Sequence, residues 1–166
     1  MNKHLIFQIL VAFGAFLHLN AAIGQSAVTD IDMKNAYCMR VKINLLATVQ
    51  PIIQHFESTG NQNIQEIKTE YGRVENDLKR IRTYFAIRAN VVGASQYANA
   101  IVPVTSSADQ DIHKTNQCSS TCGNMTDQNG KPNFSKMEVC SAKCEKENKA
   151  IIARFRSCDV VNWLPF

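Results

Sequence analysis

Two identical C-x-x-x-C spacings, Cys118-Ser119-Ser120-Thr121-Cys122 and Cys140-Ser141-Ala142-Lys143-Cys144, constrain this chain more than any other feature. A spacing of four puts both sulfurs of a pair on one face of a helix. Side chains one turn apart meet poorly for S–S geometry, which disfavours a bridge within either pair. Two such helices joined by a turn run antiparallel, and their sulfurs then pair in nested fashion, Cys122 with Cys140 and Cys118 with Cys144. Of the six cysteines, Cys38 and Cys158 are left to pair with each other. The competing use of four thiolates at this spacing is a zinc site. An oxidising export route favours disulfides instead.

The start of the chain points to such a route. Lys3 and His4 precede an apolar run, Leu5 to Leu19, and Ala22-Ile23-Gly24 supplies small residues for cleavage. The run is about 15 residues, short of the ~20 that span a bilayer, so residues 1–24 read as a signal peptide rather than an anchor. No later segment is apolar enough to cross a membrane. Residues 25–166 then form the mature chain, expected to be one secreted, extracellular domain. Asn124-Met125-Thr126 and Asn133-Phe134-Ser135 are glycosylation acceptor patterns within one polar turn region, Gly123 to Asn133, where an acceptor is accessible.

The body carries helical periodicity and predicts an all-α, disulfide-stapled bundle of about four helices. Ile31, Cys38, Val41, Leu45, Val49, Ile52 and Phe56 form one stripe over residues 30–57, with Thr29 or Asp30 as cap and a kink or restart expected at Pro51. Ile64, Ile67, Tyr71, Val74, Leu78, Ile81, Phe85, Arg88 and Val92 alternate spacings of three and four, a seam for packing on other helices. The pairs Arg73 with Asp77 and Glu75 with Lys79 support this helix, whose basic end (Lys79, Arg80, Arg82, Arg88) is read as a solvated face. Residues 25–92 are thus a long helical hairpin. Residues 93–108, with Pro103 and Thr105-Ser106-Ser107, read as a linker.

Residues 109–158 form the stapled hairpin: one helix from about Asp109 to Thr121, another opened by the capping box Ser135-Lys136-Met137-Glu138. The inward stripe of the last helix is Met137, Cys140, Cys144, Ile151 or Ile152, Phe155 and Cys158, with Lys143–Glu147 and Glu145–Lys149 pairs outside. Joining Cys38 to Cys158 sets the first and last helices antiparallel, which predicts up-down-up-down topology. Residues 159–166 are an apolar tail holding the only Trp; Trp163, Leu164 and Phe166 are candidate partner contacts, or they fold back on the bundle.

The segment Cys118 to Cys144 resembles the twin C-x-x-x-C hairpins of the small intermembrane-space chaperones of mitochondria and of the α-hairpinins, which share nested pairing. The resemblance covers under a fifth of the chain, and the long hairpin before it fits neither group. Six cysteines with a C-x-x-x-C are also similar to insect odorant-binding proteins, but Cys38 lies eighty residues before Cys118, which departs from their spacing.

Chemistry is sparse. His55 and His113 are the only histidines after Gly24, and no zinc-protease, serine-hydrolase, phosphate-loop or calcium-loop pattern occurs. Asp109-x-Asp111-x-His113 is read as two acids favouring a helix start beside an exposed His, with Asp111 pointing away from the other two. The net charge of +4 is too weak for nucleic acid. The chain is expected to be non-enzymatic, without cofactor or metal, a monomer or dimer, binding an unknown protein partner through its helical scaffold. The alternatives are a carrier of a small hydrophobic ligand held between helices, and a protease inhibitor acting through the hairpin loop.

Overall fold

The computed structural model describes residues 27–60 and 64–159, all helical apart from turns and one isolated bridge. Five helices follow in order: α1 Asp30–Ser58, α2 Ile64–Val92, α3 Ala94–Gly123, α4 Phe134–Glu147 and α5 Lys149–Arg156. The proposed signal peptide (1–24) and the tail contacts Trp163, Leu164 and Phe166 lie outside the described residues.

α1 opens on a capping box. The Thr29 hydroxyl accepts from the Asp32 N–H, and the Asp32 carboxylate accepts from the Thr29 N–H at 2.7 Å. Pro51 neither ends nor restarts the helix. The carbonyl it leaves without a donor belongs to Ala47, which is exposed and so open to solvent rather than sealed in the core. Pro103 behaves alike on α3, opposite exposed Asn99. The proposed linker 93–108 is therefore corrected: only Gly93 separates α2 from α3, and α3 starts fifteen residues before Asp109. Gly93 accepts this role because its φ is 97°, a left-handed conformation costly for a residue with a Cβ. Its N–H closes α2 on Ala89 O at 3.0 Å, and its carbonyl accepts from Tyr97 N at 2.9 Å to open α3.

The topology is up-down-up-down. Contacts between α1 and α2 run in opposite order, Asp32 to Arg88, Lys42 to Asp77 and Glu57 to Lys68. Those between α1 and α3 run in the same order, Asp32 to Tyr97 and Arg40 to Asp109. α4 and α5 return along α3, with Cys140 beside Cys122, Cys144 beside Cys118 and Arg154 beside Asp111. The core is built where four helices meet: Tyr37, Cys38, Val41, Leu45 and Val49 of α1, Val74 of α2, Ala108 and Ile112 of α3, Ile151 and Phe155 of α5. The stripe expected on α1 overshoots this core at both ends, leaving Ile31 64% and Ile52 43% exposed.

Two buried carboxylates tie the helices together. Asp32, wholly buried, accepts from Arg88 Nε (2.9 Å) and Nη2 (2.8 Å) on α2, from Tyr84 Oη (2.8 Å) on α2 and from Tyr97 Oη (3.0 Å) on α3. The Arg88 guanidinium, with these hydrogen bonds, holds its carboxyl well below the usual carboxylate range against the opposing effect of burial. Arg88 is therefore not part of a solvated basic face. Asp111 of α3, also buried, accepts from Tyr37 Oη of α1 at 2.7 Å and from Arg154 of α5 at 2.6 Å. Burial, and then the Asp111 carboxylate, pushes the Tyr37 phenol up to about 12. The reading of Asp109 and Asp111 as helix-start acids is corrected accordingly: both lie mid-helix, and Asp111 points into the core.

Asp32→Asn removes the charge on which three helices converge. It should destabilise the protein by about 3–5 kcal/mol in urea unfolding, because Arg88 keeps a charge with no counter-ion. Asp30→Asn, one turn-end position away on an exposed site, should cost less than about 1 kcal/mol. The depressed Asp32 pKa gives stability that is complete well above about pH 4, the unfolded-chain value, and declines progressively below it, because the unfolded chain binds a proton there while the folded carboxylate stays ionised. The Asp32→Asn variant should lack that component of the acid-side slope.

Candidate functional site

The stapled hairpin is the most defined local feature. Three disulfides join Cys38 to Cys158, Cys118 to Cys144 and Cys122 to Cys140, with Cα–Cα separations of 5.3, 6.0 and 5.5 Å. The two hairpin bridges nest, as antiparallel helices with C-x-x-x-C spacing require. They also stack: Cys122 Sγ lies 3.5 Å from Cys144 Sγ, and Asn148 Nδ2 donates toward Cys118 Sγ at 3.7 Å. The sulfurs of Cys122, Cys140 and Cys144 fall within 4.8 Å of one another, close enough for a metal. Each is bonded in a disulfide, however, and zinc takes thiolates. A shallow cleft of about 270 Å³ beside the bridges is lined by Cys118, Ser119, Cys122, Gly123, Met137, Ser141 and Cys144.

The last predicted helix divides into two. α4 ends at Glu147 and α5 begins at Lys149, with Asn148 between them. The Asn148 side chain donates to Cys144 O at 3.0 Å, competing for the carbonyl that the backbone N–H also uses at 2.9 Å. The bend changes the register across it. Lys143 and Glu147 pair at 3.8 Å within α4, whereas the expected Glu145–Lys149 pair, which straddles Asn148, is absent among the described ion pairs.

The loop 124–133 is a small closed turn. Asp127 N donates to Lys131 O at 2.8 Å and Asn133 N to Met125 O at 3.0 Å, with a Thr126–Pro132 bridge between. Asp127 Oδ1 accepts from Asn129 N (2.8 Å) and Lys131 N (2.9 Å), an Asx turn. The acceptor asparagines stand at its two ends. Asn124 is exposed and closes α3. Asn133 is half-buried and caps α4, its Oδ1 accepting from Lys136 N at 3.0 Å. The capping box expected at Ser135 is thus replaced by a cap two residues earlier. The cap uses the oxygen of Asn133 and leaves the nitrogen that a glycan would take.

His55 and His113 are both exposed, on different helices, and neither faces a carboxylate within ion-pair distance among the described residues. The polar groups that sequence reasoning missed are Asp32 with Tyr84 and Tyr97, and Asp111 with Tyr37 and Arg154. A signal for the first was available: Arg88 is the one charged position on an otherwise apolar stripe, and a buried cation calls for a carboxylate.

Asn133→Ala should cost about 1 kcal/mol through loss of the cap, while Asn133→Asp should keep the stability and lose only the acceptor. Thermal unfolding of the deglycosylated proteins separates these effects. No family model matches this chain, and neither the curated proteins nor the solved structures contain a significant match to it.

Proposed function

We propose that this chain is a secreted, non-enzymatic binding protein, a stapled helical scaffold that presents a rigid surface to a protein partner. One observation carries the reading. The cysteines and the buried carboxylates are tied into the scaffold, the two exposed histidines stand on different helices, and large apolar side chains point outward. All six cysteines are in disulfides, and the buried carboxylates Asp32 and Asp111 are held by Arg88 and Arg154. Outside, Phe134 is 78% and Val139 70% exposed on α4, and Ile87, Val91 and Val102 are more than half exposed on α2 and α3. Contiguous apolar patches, not single exposed residues, mark contact sites, and Ile87 with Val91 stand one turn apart on α2. The disulfides agree with an oxidising compartment, and no helix among the described residues is long and apolar enough to cross a membrane.

The carrier reading is less well supported. The gap in the α1–α2 seam, lined by Leu45, Leu46, Val49, Tyr71 and Val74, holds about 10 Å³, room for one water at most. Small-molecule sites enclose roughly 300–1,000 Å³. An inhibitory loop is also disfavoured, because residues 124–133 are folded on their own hydrogen bonds instead of extended as a substrate would be.

Native mass spectrometry of protein secreted by eukaryotic cells, with glycans trimmed, tests the proposal. The expected result is a chain starting at or near Gln25, six hydrogens light, with no further mass. A discrete excess mass lost on denaturation would overturn it in favour of the carrier, and retention of the full chain inside the cell would overturn the secreted part.

A further inference from the structure

The bend at Asn148 creates a second cleft, on the outward side of α4 and α5. It measures about 360 Å³ and is lined by Ala142, Glu145, Lys146, Lys149, Ile152, Ala153 and Arg156. All seven belong to α4 and α5, which are held in place by the two hairpin disulfides to α3, by the Arg154–Asp111 ion pair and, just past α5, by Cys38–Cys158. Its floor is small and apolar: Ala142, Ala153 and Ile152, the last only 4% exposed. Its rim is basic, with Lys146, Lys149 and Arg156 against the single carboxylate Glu145.

The three cations are exposed, and none has an ion-pair partner among the described residues. Lys79, Arg80 and Arg82 of α2 are likewise exposed and without an ion pair among the described residues, but none of them lines a cleft with an apolar floor among the described pockets. Ten residues from Lys146 to Arg156 span roughly 15 Å at helical rise.

We infer that this cleft is where the scaffold reading acquires its partner, and that the partner offers an acidic, amphipathic helical segment. The inference rests on that reading. Charge complementarity selects the acid: three cations spaced by three and then seven residues on one face match Glu or Asp at i, i+3 and i+10 of a facing helix, or i, i+7 and i+10 if it runs antiparallel. The apolar floor selects a protein over a sulfated polysaccharide, because a polyanion brings no side chain to fill it, whereas small residues such as Ala142 and Ala153 let a second helix approach closely. Glu145 at the α4 end disfavours a fourth acid there and so gives the segment a direction.

The test uses the full mature chain with disulfides intact and two fluorescein-labelled amphipathic peptides, one bearing Glu at i, i+3 and i+10 and one with the reversed spacing i, i+7 and i+10, read by fluorescence polarisation. Lys146→Glu/Lys149→Glu/Arg156→Glu should weaken binding by roughly tenfold or more, since about 0.5 kcal/mol per exposed ion pair accumulates over three and repulsion adds to it. Lys79→Glu/Arg80→Glu/Arg82→Glu, three exposed cations of α2, changes the net charge equally and should leave affinity nearly unchanged. Circular dichroism and intact mass confirm that both variants fold with three disulfides. Equal weakening in both variants, undiminished binding by the cleft variant, no binding of either peptide by the parent protein, or binding of a heparin oligosaccharide in place of the peptides would each overturn the inference. A protein partner that binds parent and cleft variant alike would remove the cleft and leave the scaffold reading standing.

Discussion

The Cys38–Cys158 disulfide is the constraint on which the rest of the arrangement depends. It closes a loop of 120 residues, so it joins the first helix to the end of the last. In the chain-entropy account, a loop of that length restricts the unfolded chain by about 5 kcal/mol, against about 3 for the short hairpin loops. The hairpin bridges make α3 and α4 a local unit that would exist in many topologies. Only the long bridge requires α5 to return to α1. The core then forms at that junction, with Tyr37, Phe155, Ala108 and Val74 gathered around it.

Buried polar groups supply what a small apolar core cannot. Asp32 gathers α1, α2 and α3 at one end, and Asp111 gathers α1, α3 and α5 near the long disulfide. Neither arrangement is a cheap source of stability, because burying charge costs most of what the ion pair returns. Their value is directional. A carboxylate with three donors, as at Asp111, or six, as at Asp32, in fixed positions resists slip of one helix against another more than Leu and Val contacts do. This division, covalent closure for topology and hydrogen-bonded carboxylates for register, accounts for a bundle whose stripes Ile31 and Ile52 extend beyond the core.

The cysteine spacing made the hairpin and its nesting legible, since sulfur geometry leaves few choices. The two long stripes made α1 and α2 legible, and Thr29, one of the two cap candidates with Asp30, is the one that caps α1. The first half of α3 was not, for two reasons. Pro103 and the Thr-Ser-Ser run suggest a break, yet Pro103, Ser106 and Ser107 are exposed and Thr105 is half-buried with its hydroxyl donating to Val102 O, so the lost hydrogen bond and the poor propensity cost little. Its stripe, Tyr97, Ile101, Val104, Ala108 and Ile112, mixes aromatic, small and branched residues and is weak to the eye. The division at Asn148 depends on one side-chain hydrogen bond to Cys144 O, which no periodicity reveals. The Asp32 and Asp111 clusters join residues more than forty positions apart, so only Arg88, out of place on its stripe, announced one of them.

On the proposed reading, the scaffold acts by holding a surface still. The exposed apolar residues of α2 to α4 and the basic cleft at the α4–α5 bend are useful contacts only if the hairpin is stapled as described. Disulfide mapping of the protein secreted by eukaryotic cells, by mass spectrometry of non-reduced peptides, tests this most directly. The account predicts three linked species, Cys38–Cys158, Cys118–Cys144 and Cys122–Cys140, with no free thiol. A different pairing, or thiols open to alkylation, would contradict it.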